Sequence, residues 1–180
     1  MASPGDAGQK FDLGEACDVL SRTPAVLNSL LSGLPDAFTS CGTEDNWAPF
    51  DVVGHLIHGE LTDWIPRARI ILEQRENRTF VPFDRLAQFE LQNGNSLSDL
   101  LIDFHRLRHE SLETLQSWNL TGDQLALEGI HPELGSVTLA ELLASWVAHD
   151  MTHTRQIVAH IAKQFGPFVG PWKEYLSILN

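Results

Sequence analysis

Apolar residues recur at helical spacing in four stretches of the 180-residue chain. In the clearest stretch, apolar side chains repeat every three or four residues from Leu97 to Trp118. Thr138 and Glu141 form a capping box at the start of another. No alternating strand pattern persists, and no hairpin dipeptide lies between alternating runs. The pattern predicts four main helices, over 11–32, 50–76, 97–118 and 138–164.

Prolines and long connections modify this plan. Pro24 is expected to interrupt the first helix, and Pro66 is expected to bend the second. The connection 77–96 is too apolar for a solvated loop, so we expect it to fold over the body as a lid or pocket wall, with a short helix near 84–91. Residues 172–179 predict a short terminal helix that docks on the body.

These features predict an all-α protein, a four-helix bundle with long connections and a short C-terminal helix. The length suits one domain. We expect that domain to span 11–180, preceded by a disordered tail over 1–10.

The formal net charge is −12, from 12 Lys+Arg against 24 Asp+Glu, which argues against binding nucleic acid. The two cysteines, Cys17 and Cys41, are too few for a disulfide framework. No signal peptide and no membrane span are visible in the sequence. We therefore expect a cytoplasmic protein.

The candidate chemistry lies in the histidines of the fourth helix. His149 and His153 stand four residues apart, so they share one helix face with Trp146 and can reach one metal ion. Two buried neutral histidines without partners would be costly, and a metal would satisfy both. The alternative is an ordinary solvated or hydrogen-bonded pair.

A third ligand has to come from another segment. His55 and His58 of the second helix are both possible, and spacing alone barely prefers His55. His105 and His109 are also four residues apart, but neighbouring arginines predict that they are solvated or salt-bridged. His131, in a loop, is expected at the surface.

Two segments resemble the DinB-like superfamily of bacterial four-helix-bundle proteins. In the first, His55 follows Trp47 by eight residues; in the second, His149, His153 and Gln156 match the family's final HxxxHxxQI helix. The resemblance covers the chain from about Phe11 to Leu179.

The resemblance implies a divalent metal, zinc or nickel, held by His55, His149 and His153. It also implies a metal-dependent enzyme, because characterised members include transferases that use bacillithiol or similar thiols. The predicted activity is that of a low-molecular-weight-thiol S-transferase or a hydrolase acting on a small molecule. The resemblance further favours a homodimer.

A general base is expected near such a metal. Glu60 and Asp150 are candidates by proximity in sequence, although a solvated Asp150 is the simpler expectation. The Gln156 side chain is expected either to face the pocket or to form a hydrogen bond in the core.

Two alternatives to a three-histidine enzyme stay open. One is a non-catalytic stress-response or binding protein with a structural or vestigial metal. The other is a di-iron bundle, which needs paired Glu-x-x-His motifs. The one match, Glu128 to His131, lies in a connection rich in glycine and proline.

Overall fold

The computed structural model of the protein describes residues 10–39, 47–84 and 86–179. The predicted tail lies mostly outside these ranges, as does part of the first connection. The helices are α1 (Leu13–Leu20), α2 (Thr23–Leu31), α3 (Asp36–Thr39), α4 (Pro49–Thr62), α5 (Trp64–Glu73), α6 (Ala87–Gln92), α7 (Leu97–Ser117), α8 (Gly122–Leu125) and α9 (Leu139–Phe165). The strands are β1 (Glu128–His131) and β2 (Gly135–Thr138).

The four predicted helices form the bundle. The first is interrupted near Pro24, as predicted, and the second is divided near Pro66, where only a bend was expected. The first is divided into α1 and α2, with Pro24 in the first turn of α2. The second is divided into α4 and α5 at Asp63, three residues before Pro66. A proline lacks the amide hydrogen that a continuous helix needs, but it fits the first turn of a new one. The break therefore precedes the proline.

The capping box at Thr138 is confirmed. Its hydroxyl accepts from the Glu141 amide at 3.2 Å, and the Glu141 carboxylate accepts from the Thr138 amide at 2.7 Å. From this cap α9 runs for 27 residues, the longest helix in the described part of the chain. Its length lets it cross the whole bundle and carry His149 and His153 on one face.

Two features differ from the expectation. A short antiparallel hairpin pairs Glu128 with Thr138 and His131 with Gly135, where no strand was predicted. The C-terminal segment forms 3₁₀ turns over 166–168, 170–175 and 177–179 instead of an α-helix, although the last of these turns packs on α9 as expected. Its aromatic residues Trp172 and Tyr175 are 72% and 78% exposed. None of the described helices is long and apolar enough to cross a membrane.

The connection 77–84 folds back over the body, as predicted, and it does so by pairing with the hairpin. The Phe80 amide donates to the Ile130 carbonyl, and the Ile130 amide donates to the Arg78 carbonyl, both at 2.9 Å. Gly129 allows this approach, because a Cβ there would lie 2.6 Å from the Phe80 ring. The hairpin thus holds the connection beside the end of the bundle.

The core has two apolar clusters. One surrounds Trp64 and Trp146, and the other surrounds Leu56 and Phe104. The Arg108 guanidinium lies 5.0 Å from the ring centroids of both Phe104 and Trp146, so it joins the two clusters.

Candidate metal centre

Three histidines from two helices meet in the bundle. His55 of α4 lies with His149 and His153 of α9, and one ring nitrogen from each lies within 4.8 Å of the others. The Nε2 atoms of His55 and His149 are 3.1 Å apart. His55 is buried, and the other two are partly buried. No described acidic or sulfur side chain joins this cluster.

Two glutamines orient two of these rings. Oε1 of Gln88 accepts from Nδ1 of His55 at 3.0 Å, and Oε1 of Gln156 accepts from Nδ1 of His153 at 2.9 Å. An amide oxygen accepts a hydrogen bond, so each Nδ1 carries the proton and each Nε2 keeps its lone pair. Such contacts are typical of histidines that bind metals.

The third ring, His149, has no hydrogen-bond partner for its buried Nδ1 among the described residues. Burial, followed by the neighbouring His153 and His55, lowers the pKa of His149 to about 3. Burial also lowers the pKa of His153. The rings of His149 and His153 are therefore neutral near pH 7. Three imidazole nitrogens that converge on one point form a donor set that fits a divalent ion.

The sequence explains how Gln88 reaches His55. Gly54 precedes His55 in α4, and a Cβ on Gly54 would lie 2.1 Å from the Gln92 amide nitrogen. The glycine therefore lets α6 pack closely on α4. Gln92 then donates to the Phe50 and Asp51 carbonyls, both at 3.3 Å, which fixes α6 in place. Gln88 lies one turn before Gln92 on the same helix.

A cavity of about 660 Å³ opens beside the histidines. Its walls come from the cluster, the connection at Pro82 and Phe83 together with Leu86, the start of α5 and the hairpin turn. The lining residues are Trp47, His55, Asp63, Arg67, Pro82, Phe83, Leu86, His131, Pro132, Glu133, His149 and His153. The prediction that 77–96 supplies a pocket wall agrees with this arrangement.

Glu60 and Asp150, the predicted candidate bases, lie elsewhere. Both side chains are fully buried, and neither lines the cavity. Arg108 donates to Glu60 at 2.7 and 3.0 Å and to Asp150 at 2.6 and 3.0 Å. Burial raises the pKa of Glu60 despite the Arg108 charge. The expectation of a solvated Asp150 is wrong, because Arg108 compensates its charge inside the bundle.

The other histidines are also placed. His105 and His109 are exposed, and His109 pairs with Glu113 at 3.4 Å, as expected. His58 is buried with its ring 4.7 Å from that of Phe83, and it is not part of the cluster. His131 is partly buried and lines the cavity, so the expectation of a surface residue is wrong for it.

Several cavity residues were not predicted. Trp47 stacks near His153, with 6.4 Å between ring centroids. Asp63 and Arg67 form an ion pair at 2.5 Å, and burial raises the pKa of Asp63. Gln88 was also missed. Pro66 could have indicated a helix junction near Asp63, where a polar side chain can line a cavity. Nothing in the sequence pointed to Gln88.

Fold and site together define a helical bundle with a three-histidine cluster at an open cavity. The chain belongs to the DinB superfamily, whose model matches residues 20–157. No curated protein matches it significantly. A similar solved structure is that of YfiT from Bacillus subtilis, a probable metal-dependent hydrolase with an unusual four-helix bundle topology. The two chains are 23% identical, with a TM-score of 0.73 over 92% of this chain and 94% of YfiT, which supports the shared fold.

Proposed function

We propose that this protein is a metal-dependent enzyme in which His55, His149 and His153 bind one divalent ion through Nε2. The observation that carries the proposal is the convergence of three ring nitrogens within 4.8 Å beside a cavity. Two rings have their Nδ1 atoms fixed by glutamine oxygens, which directs Nε2 to the common point. The description of YfiT as a probable metal-dependent hydrolase agrees with this reading.

The ligand set favours catalysis over a purely structural role. Three protein ligands leave a divalent ion with open positions, where it lowers the pKa of a bound water or thiol. The protein's own residues would orient the ligands and enclose the substrate. The two glutamines hold the histidine rings, and Phe83 and Trp47 exclude water from one side of the cluster. The cavity admits a small molecule.

The reaction class is a hydrolase or a low-molecular-weight-thiol S-transferase. Both reactions need a nucleophile with a lowered pKa beside an enclosed substrate site. Zinc or nickel suits three imidazole ligands. Gln156 is proposed to act through His153, which it contacts, and not as a cavity residue.

Glu60 and Asp150 are proposed to position the helices that carry the ligands. Their carboxylates are occupied by Arg108, which also donates to the Leu20 carbonyl at 2.9 Å. This network joins α1, α4, α7 and α9. A base that acts in the cavity has to come from the residues that line it.

The homodimer and the cytoplasmic location stay predictions. The exposed aromatic residues of the C-terminal turns, Phe168, Trp172 and Tyr175, offer a surface for self-association. Sedimentation velocity of the wild type and of Trp172→Ser tests this: a dimer in the first and a monomer in the second is the expected result.

The metal assignment is tested by elemental analysis of purified variants. We expect one divalent ion per chain in the wild type and in His105→Ala, a control from the exposed histidine pair. His55→Ala and His153→Ala should each lose it. Full metal content in both of these variants would refute the proposal. Hydrolysis of esters and amides, and transfer of low-molecular-weight thiols to electrophiles, then separate the two reaction classes.

A further inference from the structure

A second polar group lines the cavity apart from the histidine cluster. It consists of Asp63 and Arg67, at the junction of α4 and α5, and His131, at the end of β1. Asp63 follows His55 by eight residues, which corresponds to roughly 12 Å along a helix. A molecule that reaches both groups has to be several bonds long.

Arg67 is a buried cation with unused donors. Its side chain is 9% exposed, and its guanidinium lies 5.2 Å from the Phe80 ring centroid. Nε pairs with Asp63 at 2.5 Å, and Nη2 donates to the Val81 carbonyl at 3.3 Å. Nη1 has no hydrogen-bond partner in the described ranges. Both of its hydrogens are therefore available where Arg67 lines the cavity.

His131 supplies another donor, because its tautomer is set by the hairpin turn. Its Nδ1 accepts from the amides of Glu133 and Leu134 at 3.1 and 3.2 Å. A nitrogen that accepts cannot carry the proton in the neutral ring, so Nε2 carries it. The half-buried ring also lines the cavity.

We propose that Arg67 Nη1 and His131 Nε2 form a subsite that binds a carboxylate group of the substrate. This inference rests on the proposed function, since it names the substrate class for the cavity beside the three histidines. A buried guanidinium and a neutral imidazole donor are groups that bind an anion through charge-assisted hydrogen bonds.

The surrounding charges favour a monoanion over a dianion. Asp63 already pairs with Arg67, and Glu133 also lines the cavity. A phosphate dianion would be repelled by both carboxylates more strongly than a carboxylate would be. The volume of about 660 Å³ is suited to a small organic acid.

The test compares benzoate with its neutral analogue benzamide by isothermal titration calorimetry. The wild type should bind benzoate more tightly than benzamide. Arg67→Gln should weaken benzoate binding about tenfold and leave benzamide binding unchanged. Arg69→Gln is the matched control, because Arg69 lies on the same helix but is exposed and packs on Trp118. It should bind benzoate as the wild type does.

Asp63→Asn separates binding from a structural role. It breaks the same ion pair as Arg67→Gln, but it removes the negative charge and leaves the cation. Benzoate affinity in Asp63→Asn should equal or exceed that of the wild type. If the pair only supports the fold, both variants will weaken benzoate and benzamide alike, which would overturn the proposal.

His131→Asn tests the second donor without losing the turn. The asparagine oxygen can accept from the Glu133 and Leu134 amides, whereas the Nε2 donor is lost. Benzoate binding should weaken severalfold. Equal benzoate affinities in wild type and Arg67→Gln, or no benzoate binding by the wild type at millimolar concentration, would overturn the proposal.

Metal content of the same samples distinguishes this inference from the proposed function. Arg67→Gln should keep the wild-type metal content. The effect of Arg67→Gln on benzoate should persist in a His153→Ala background, where the ion is lost. A wild type without metal would count against the enzyme proposal alone, whereas loss of the Arg67 effect would count against the subsite alone.

Discussion

Replacement of Arg108 by methionine should destabilise the bundle by about 3 to 5 kcal/mol. Arg108 is 1% exposed, and it donates to two carboxylates whose side chains are fully buried. Methionine fills similar space, so the main cost is not a cavity. It is the burial of Glu60 and Asp150 with no compensating charge.

The assay is urea unfolding followed by circular dichroism at pH 7. Arg106→Met is the matched control, because Arg106 lies on the same helix but pairs with Asp103 and Glu110 at the surface. Exposed pairs contribute at most about 1 kcal/mol, so this variant should stay near the wild type. The deficit of Arg108→Met should shrink as the pH falls toward 4, because protonation removes the uncompensated charges.

If Arg108→Met lowers the free energy of unfolding by less than about 1 kcal/mol, the reasoning is refuted. The contribution of Arg108 would then be no larger than that of a surface ion pair. Glu60→Gln and Asp150→Asn extend the test. If their carboxylates position helices, each substitution should lower stability. If one acts as a base, it should instead lower activity and leave stability unchanged.

Three further predictions concern the ligands and the hairpin. Because folding lowers the pKa of His149, this histidine binds a proton below pH 6.5 in the unfolded metal-free chain but not in the folded one. The free energy of unfolding should therefore fall by about 1 kcal/mol between pH 7.5 and 5.5. Urea unfolding with the same midpoint at both pH values would contradict this. Gln156→Ala should lower metal affinity 10- to 100-fold in a chelator competition, with unchanged affinity as the contrary result. Gly129→Ala should lose about 1 to 3 kcal/mol through contact with the Phe80 ring. Gly122→Ala is the control, because its new Cβ meets no neighbouring atom within 4 Å, and its stability should not change. Equal losses of stability in the two variants would contradict the packing argument.

Helix periodicity was sufficient to predict the bundle because it is a local property of the chain. The four main helices, the break near Pro24 and the cap at Thr138 all follow from residues within a few positions of each other. The hairpin was missed for the same reason. Its strands have four residues each, too few for an alternating pattern, and the three-residue turn between His131 and Gly135 carries no two-residue hairpin dipeptide.

The site was predicted only in part, because its parts come from distant segments. The i,i+4 pair His149 and His153 was visible on one helix. The choice of His55 over His58 came from the family resemblance, and the structure brings His55 to the pair. The Gln88 contact depends on how closely α6 packs on α4, which is a tertiary property that no local pattern reveals.

The distribution of carboxylates gives the cavity its electrostatic character. Glu60 and Asp150 are withdrawn into the Arg108 network, so the three-histidine cluster contains no acidic ligand. A divalent ion held by these three imidazoles would keep its charge, which would attract anionic groups. Among the described residues, the carboxylates that line the cavity are Asp63 and Glu133, and Asp63 is paired with Arg67. A cavity with this balance should admit a monoanionic substrate, and a proton acceptor for its chemistry is to be sought among the carboxylates that line the cavity before Glu60 or Asp150.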